Sequence, residues 1–545
     1  MRSMFFSLAR RSFTCLALAA AAGCAHRPGT QPAPTPAEVR TSLVYEANLH
    51  QGPEALRAFL ADFPKGADLH VHLSGAVYAE TFVHDAAEDG VCVDTMALAF
   101  AQPPCTGKLV PAKNFTGNID RQTQLLYDKL IDALSVRSYV PLSAWSEHDQ
   151  FFSVFDRLGA LKDHSGEWVD EVASRAADQN QQYLELMVTP PFSHAMQVAN
   201  AIGWSPDLAR GDRQAFAQFR QALLDRGLRD EVAAGLDAAR RAEAVRKQRE
   251  HCGTAQAAAA CAVEIRYIYQ VLRDLSPQAV FAQTLLGFET VQASMDAHQD
   301  GWVGINFVRP EDDFVAMRDY TLQMKMLDYL HSVYPRVHIT LHAGELTEGI
   351  VPPEGLRFHI RQAVELGHAE RIGHGVDVVY EDDARGLLQE LAQKHIMIEI
   401  NLSSNAAILG VEGDRHPFSI YRAAHVPVAL STDDEGVSRI DLTHEYVRAA
   451  LDYGLSYHDL KQMARTGMEH SFLPGASLWA EPDRFAAVVN ACHGEELGGD
   501  RPSADCKAFL DRSEKASAQW ELERRFRAFE AKFQGPGYDR LPHGQ

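Results

Sequence analysis

Leu69-His70-Val71-His72-Leu73-Ser74-Gly75 is the stretch that decides the fold. A hydrophobic step followed by two histidines one residue apart reads as the carboxyl end of a buried strand. Side chains of a strand alternate faces, so His70 and His72 project to the same side. Two neutral imidazoles placed this way can hold a divalent transition metal such as zinc. The pair alone is a weak signal in a chain with 24 histidines. It gains weight from Leu341-His342-Ala343-Gly344-Glu345, Arg371-Ile372-Gly373-His374-Gly375 and Leu430-Ser431-Thr432-Asp433-Asp434. Each of these follows an apolar, β-branched run and ends in a residue able to bind metal or move a proton.

Working outward, apolar runs rich in β-branched residues predict eight strands, at 67–72, 182–188, 263–269, 301–306, 337–342, 371–374, 396–401 and 426–431. Segments of helical period lie between most of them, as in 314–333 and 382–393. Strand-then-helix repeats with near-continuous apolar strands indicate a parallel sheet. Eight units predict an α/β fold, a (β/α)8 TIM barrel with helical insertions, whose chemistry sits at the carboxyl ends of the strands. Every residue singled out above falls there. The barrel is expected over 51–480, with insertions at about 87–145 and 207–260 and a C-terminal helical extension over 481–545. The charges of Arg240-Arg241-Ala242-Glu243 read as a solvated face.

The chain opens with Arg2, Arg10 and Arg11 before an apolar run, Phe13 to Ala22, that ends in Ala21-Ala22-Gly23-Cys24. This describes an export signal over 1–23 rather than a membrane span, which needs about 20 apolar residues. Cys24 after small residues resembles a bacterial lipoprotein signal; a plain secretory cut near Ala25 is the alternative. Arg10-Arg11-Ser12-Phe13 partly resembles a twin-arginine signal. Residues 24–50 are expected to be a lipidated Cys and flexible tether, placing the protein at the periplasmic face. Six further cysteines form local couples, Cys92 with Cys105, Cys252 with Cys261 and Cys492 with Cys506, which an oxidising compartment would pair. The net charge of −21 argues against nucleic acid and gives no steering for anionic substrates. The expected partner is a neutral or cationic small molecule, with membrane contact only through the lipid anchor and the oligomeric state open.

His70, His72, His342 and Asp433, from the first, fifth and eighth strands, make a ligand set that suits Zn2+. A metal with an open position lowers the pKa of bound water to about 7. His374 is placed to take a proton from that water or to hold the hydroxide. Glu345 can protonate a ring nitrogen if burial keeps its carboxyl neutral, and Asp434 can exchange a hydrogen bond with the substrate.

His70-Val71-His72-Leu73-Ser74-Gly75, His342-Ala343-Gly344-Glu345, Gly373-His374-Gly375 and Ser431-Thr432-Asp433-Asp434 together resemble the signature of the adenosine deaminase family of metal-dependent hydrolases. Glu399-Ile400-Asn401-Leu402-Ser403-Ser404-Asn405, His416-Pro417 and His470-Ser471-Phe472-Leu473-Pro474 extend the resemblance. The export signal and the cysteine-bearing stretch after the first strand are closer to the family's secreted, growth-factor-like branch. The resemblance implies one zinc per chain on His70, His72, His342 and Asp433, and a purine nucleoside as substrate. It also implies catalytic roles for Glu345, His374 and Asp433, and substrate contacts from Asp434, Ser74 and Gly75. Ser74 stands where the family has the Asp that holds the ribose, Arg309 aligns with a Gly backing the purine, and Glu435 replaces a Pro. All three departures are expected to touch specificity rather than the metal. Another metal hydrolase on this scaffold, or a nucleoside-binding protein without catalysis, are the competing expectations. Two-metal versions carry a lysine on the fourth strand, and 301–307 holds none.

Overall fold

The computed structural model describes residues 34–140, 144–298 and 301–535. The signal and Cys24 lie outside the described residues. Eight parallel strands are hydrogen-bonded in sequence order: β1 (Gly66–His72), β2 (Gln181–Val188), β3 (Glu264–Leu272), β4 (Trp302–Val308), β5 (His338–Ala343), β6 (Arg371–His374), β7 (Met397–Ile400) and β8 (Val428–Leu430). All eight match the predicted runs. β3 continues three residues past its predicted end, and β8 is a three-residue core of its run. A parallel bridge between Val71 and Asp433 brings β8 back to β1. The backbone N–H of Asp433 donates to His70 O at 2.8 Å, and that of His72 to Asp433 O at 3.2 Å. The seam of the barrel is therefore made by the backbone of three residues predicted as ligands.

Nearly all strand residues are buried, because helices cover the outside while side chains fill the interior. The predicted helix at 314–333 runs Phe314–Val333, capped by Asp313, whose side chain accepts from Val315 N. The periodic stretch 382–393 becomes Ala384–Gln393, capped by Asp383.

The base of the barrel corrects the sequence reading. Residues up to 50 were expected to be a tether, yet Pro36–Gln51 is an α-helix. Thr35 caps it by accepting from Glu38 N at 3.1 Å, and Pro36 at the first turn has the fixed φ a helix start requires. Tyr45 is fully buried and donates to Leu455 O at 2.5 Å. The next helix, Pro53–Ala61, sends Phe59 against Phe529 of the closing helix Glu514–Ala531, ring centroids 5.2 Å apart. Docking of both helices on one aromatic cluster outweighs a Pro- and Ala-rich composition that by itself reads as unstructured.

Above the mouth, three short antiparallel strands, Cys92–Asp94, Ala99–Ala101 and Leu109–Pro111, form a small lobe after β1. The helix Glu147–Asp156 follows, with a capping box between Ser146 and Asp149, and lays Phe151 and Val154 on Val376, Ile408 and Val437. The stretch between β2 and β3 is helical, chiefly Arg213–Asp225 and Val232–Arg249. Arg240 and Arg241 are solvated, but Arg246 is buried between Glu243 and Glu250. Disulfides join Cys92–Cys105, Cys252–Cys261 and Cys492–Cys506, as the local couples predicted. No helix among the described residues is long and apolar enough to cross a membrane.

Candidate metal centre and active site

Register sets the level of the site. His342 of β5 pairs with Gly373 of β6, and Glu399 of β7 pairs with the same Gly373. The side chains of His342 and Glu399 therefore meet His70 near the barrel axis. The Nε2 atoms of His70 and of His72 each lie 3.1 Å from His342 Nε2. Asp433 Oδ1 stands 3.6 Å from His70 Nε2 and 3.3 Å from His72 Nε2. Four atoms from β1, β5 and the end of β8 thus face one point.

The other nitrogen of each imidazole explains why they can. His70 Nδ1 meets Glu399 Oε2 at 2.6 Å, His72 Nδ1 meets Gln270 Oε1 at 2.5 Å, and His342 Nδ1 meets Asn306 Oδ1 at 2.6 Å. Each of those oxygens accepts a proton on Nδ1, so each ring in its neutral form turns an Nε2 lone pair to the centre. Lone pairs 3.1 Å apart repel unless a cation lies between them. Burial opposes charging His70, but Asp433 and Glu399 outweigh it and lift its pKa to about 10. Burial beside that charge drives His342 well below 6.5. The cluster is built around a positive charge, and its three imidazoles and one carboxylate are a nitrogen and oxygen donor set that suits a divalent transition metal.

Beneath His70 the support continues. Glu399 Oε1 accepts from Arg371 Nε at 2.6 Å, and Arg371 Nη2 donates to Glu185 Oε2 at 2.6 Å, all three fully buried. Burial would raise Glu399, yet Arg371 and His70 hold it down to about 2, so it is a full carboxylate toward His70. The second oxygen of Asp433 accepts from Ser404 Oγ at 2.6 Å, leaving Oδ1 for the centre.

Glu345 follows His342 through Gly344, whose φ of +75° is a left-handed turn open to glycine. Both backbone N–H groups of that turn donate to one buried carboxylate, Gly344 to Glu311 Oε1 at 3.1 Å and Glu345 to Glu311 Oε2 at 2.8 Å. His359 Nδ1 pairs with the same Glu311 at 2.5 Å. The carboxyl of Glu345 is consequently fixed 3.6 Å from His374 Nε2. Burial, reinforced by Asp433, pushes it well above 4.5, the condition for carrying a proton at neutral pH. Burial likewise pushes Asp434 up to about 8, with His72 pulling down and Asp433 adding to the rise. His374 and Asp433 both adopt left-handed φ, +69° and +60°, as residues held by a demanding site do.

A cavity of about 200 Å³ opens beside the cluster. His72, His342, Glu345, Asp433, Asp434 and Ser74 line it, with Phe151, Phe152 and Phe155 of the covering helix as its apolar wall. Two expectations change here, those for Gly75 and Glu435, while Arg309 does line the cavity. Gly75 does not line the cavity; a Cβ there would stand 1.5 Å from Asp434 Oδ1, so its role is to leave room for Asp434. Glu435 was expected to touch specificity, but it is buried away from the cavity and accepts from Arg175 Nη1 at 3.0 Å. Arg175 also donates to Ala76 O at 2.8 Å, so Glu435 ties the end of β8 to the turn after β1. Arg309 adopts φ +91°, a glycine-type conformation that keeps the backbone course expected of a Gly. Its side chain turns to Asp274, Nε to Oδ2 at 2.7 Å.

Sequence reasoning gave no role to Glu311, Gln270, Asn306 and Arg371, and noted Glu399, Asn405 and His416 only within matching stretches. A polar residue inside an otherwise apolar strand, as at Gln270, Asn306 and Glu399, was the signal available.

The chain matches the family model described as Adenosine deaminase over residues 135–478. The match begins after His70 and His72, which the barrel seam brings to it. A stretch of 151 residues is 40% identical to the adenosine deaminase of Escherichia coli (strain SMS-3-5 / SECEC), 28% of this chain and 42% of that protein. The aligned stretch thus spans less than half of that relative's length. Among solved structures, the chain is similar to an adenine deaminase from Arthrobacter aurescens, 16% identical over 75% of this chain and 94% of that one, TM-score 0.47. It is also similar to the N6-methyl-AMP deaminase of Arabidopsis thaliana, 21% identical over 77% and 94%, TM-score 0.47. With more than half of its length matched by the family model, the chain belongs to the adenosine deaminase family.

Proposed function

We propose that this protein is a zinc-dependent aminohydrolase that converts adenosine or a related 6-aminopurine nucleoside to the 6-oxopurine nucleoside and ammonia. The observation that carries the reading is the convergence of three Nε2 atoms and Asp433 Oδ1 on one point in the wall of a cavity that also holds the carboxyl of Glu345.

One divalent cation would be held by His70, His72, His342 and Asp433, and would lower the pKa of a water there to about 7. The chain's own groups do the rest. Glu345 donates its proton to the ring nitrogen next to the carbon under attack, which makes that carbon electrophilic. Asp434, opposite, hydrogen-bonds the imidazole side of the purine. The covering helix excludes water and offers Phe151, Phe152 and Phe155 to a flat, neutral ring. Among the described residues that line the cavity Arg309 is the one Lys or Arg, and its guanidinium is already paired with Asp274. That supports a nucleoside over a nucleotide, in keeping with the net charge of −21.

Zinc-loaded protein incubated with adenosine should yield inosine and ammonia, with one zinc per chain by elemental analysis. A folded protein with one zinc that releases no ammonia from any 6-aminopurine nucleoside would sink the reading; two metals per chain would favour the other hydrolases of this scaffold. Ser74 lines the cavity where the family places a ribose-binding Asp. Ser74→Asp should therefore lower KM for adenosine relative to 5′-deoxyadenosine by about tenfold, the scale of one charge-assisted hydrogen bond. An unchanged ratio would remove Ser74 from ribose recognition.

We also propose export and anchoring through Cys24. The charged, apolar amino terminus and three disulfides support this. Membrane fractionation after labelled-palmitate feeding checks it; a soluble, unlabelled protein speaks against the anchor.

A further inference from the structure

His374 lies as close to the cluster as the ligands do. Its Nε2 is 3.8 Å from Asp433 Oδ2 and 3.6 Å from Glu345 Oε1, and has no hydrogen-bond partner although fully buried. On distances alone it joins His70, His342 and Asp433 as a possible ligand. Whether Nε2 carries a lone pair or a proton decides between ligand or base and hydrogen-bond donor.

A chain of buried contacts fixes this, starting from a group whose sense is beyond choice. The backbone N–H of Phe418 is a donor and points at His416 Nδ1, 3.1 Å away. His416 Nδ1 therefore accepts, and its proton sits on Nε2. His416 Nε2 meets Asn405 Oδ1 at 3.0 Å, donating to it. The Asn405 amide is thereby oriented with Nδ2 toward His374 Nδ1, 2.9 Å away. A flipped amide would set N–H against N–H at His416. Asn401 Nδ2 approaches the same His374 Nδ1 at 3.5 Å. His374 Nδ1 is thus an acceptor, and Nε2 keeps the hydrogen. Pro417 completes the device: as the N-cap of the helix Phe418–Ala423 it lacks an N–H of its own and leaves that of Phe418 as the first donor, which His416 Nδ1 accepts.

We propose that Asn405 and His416 are positioning residues that hold His374 in the Nε2–H form, so that it donates a hydrogen bond to the attacking oxygen and is neither a ligand nor the base of the resting enzyme. The polarity is opposite to that of His70, His72 and His342, whose Nδ1 atoms all face oxygen acceptors. Chemically alike rings thus receive two jobs from the atom placed behind each. An N–H aimed at the oxygen orients a lone pair of the nucleophile toward the substrate and disfavours capture of His374 by the metal. The catalytic part rests on the deaminase reading above; the tautomer does not.

The test is Asn405→Asp, which keeps size and shape but replaces a donor by an acceptor. His374 Nδ1 should then carry the proton and Nε2 become a lone pair. Nitrogen-15 NMR of histidine-labelled protein, with His374→Gln assigning the resonance, reads the tautomer directly in metal-free and zinc-loaded samples. Wild type should show protonated Nε2 and Asn405→Asp protonated Nδ1. Turnover of the variant should fall on the order of 10²–10⁴-fold with zinc content and melting temperature near those of wild type, the scale of a catalytic imidazole held in its wrong tautomer. His416→Gln, whose amide can accept and donate in the same order, should exceed His416→Leu in turnover by about tenfold. Protonated Nδ1 in wild-type His374 overturns the proposal whatever the activity. A switched tautomer with turnover within threefold of wild type overturns its catalytic part. If the enzyme proves inactive on every nucleoside, the wild-type spectrum still decides the tautomer.

Discussion

Glu345→Gln should leave zinc in place and lower turnover by about 10²–10⁴-fold, the contribution of a positioned proton donor. The amide has nearly the same shape, and the turn that carries it is held by Glu311 through backbone N–H groups, which the substitution leaves alone. Binding should change little, so the loss should appear in kcat more than in KM. The pH profile supplies a second check. A carboxyl raised by burial is protonated below its shifted pKa, so the wild-type rate should decline as pH climbs through that value. The residual rate of the variant should lack this alkaline limb. Activity close to wild type would take Glu345 out of the reaction.

Arg371→Met should destabilise the fold by about 3–5 kcal/mol, the cost of breaking a fully buried ion pair from one side. Arg371 lies between Glu185 and Glu399 at 2.6 Å from each and packs 3.8 Å over the Phe472 ring. Methionine fills much of the volume but leaves two carboxylates with no shared cation. In the native protein Glu399 has a folded pKa of about 2 against 4.5 for the free group. Its ionised form therefore contributes stability that is complete above 4.5 and is lost as pH falls toward 2. The variant should lose most of this dependence and become less stable as pH rises, because Glu185 then charges without its cation and Glu399 keeps only His70. Glu185→Gln combined with Arg371→Met should recover part of the loss in denaturant melts. A single variant that melts like wild type would show that the chain of charges does not matter to the fold.

The barrel was legible because parallel strands buried on both faces leave continuous apolar runs, and because His70, His342, His374 and Asp433 each end one of them. What escaped lies in contacts that no local pattern carries. Glu311 sits 34 residues before the Glu345 amide it holds, in a loop that gives no periodic signal. Gln270 and Asn306 look like ordinary polar interruptions until the register of β3, β4 and β5 places them behind histidines. The left-handed backbones of His374, Asp433 and Arg309 are imposed by their surroundings, not by their own side chains. The helix Pro36–Gln51 was hidden by a composition whose ordering depends on Tyr457, against which Tyr45 packs, and on the closing helix Glu514–Ala531, both more than 400 residues away. The clustered histidines and Asp433 were readable because metal chemistry restricts residue type. The amides and carboxylates behind them were not, since many residues can accept one hydrogen bond.

The seam between β1 and β8 bears on how the molecule is assembled. Asp433, the last of the four proposed ligands, is also the residue whose N–H and C=O zip the final strand onto the first, through His70 and His72. An ion captured there would rivet the two ends of the sheet. During synthesis, a growing chain that has not yet released Asp433 has neither a finished wall nor all four proposed ligands, so an ion held by all four would bind only once the last strand is in place.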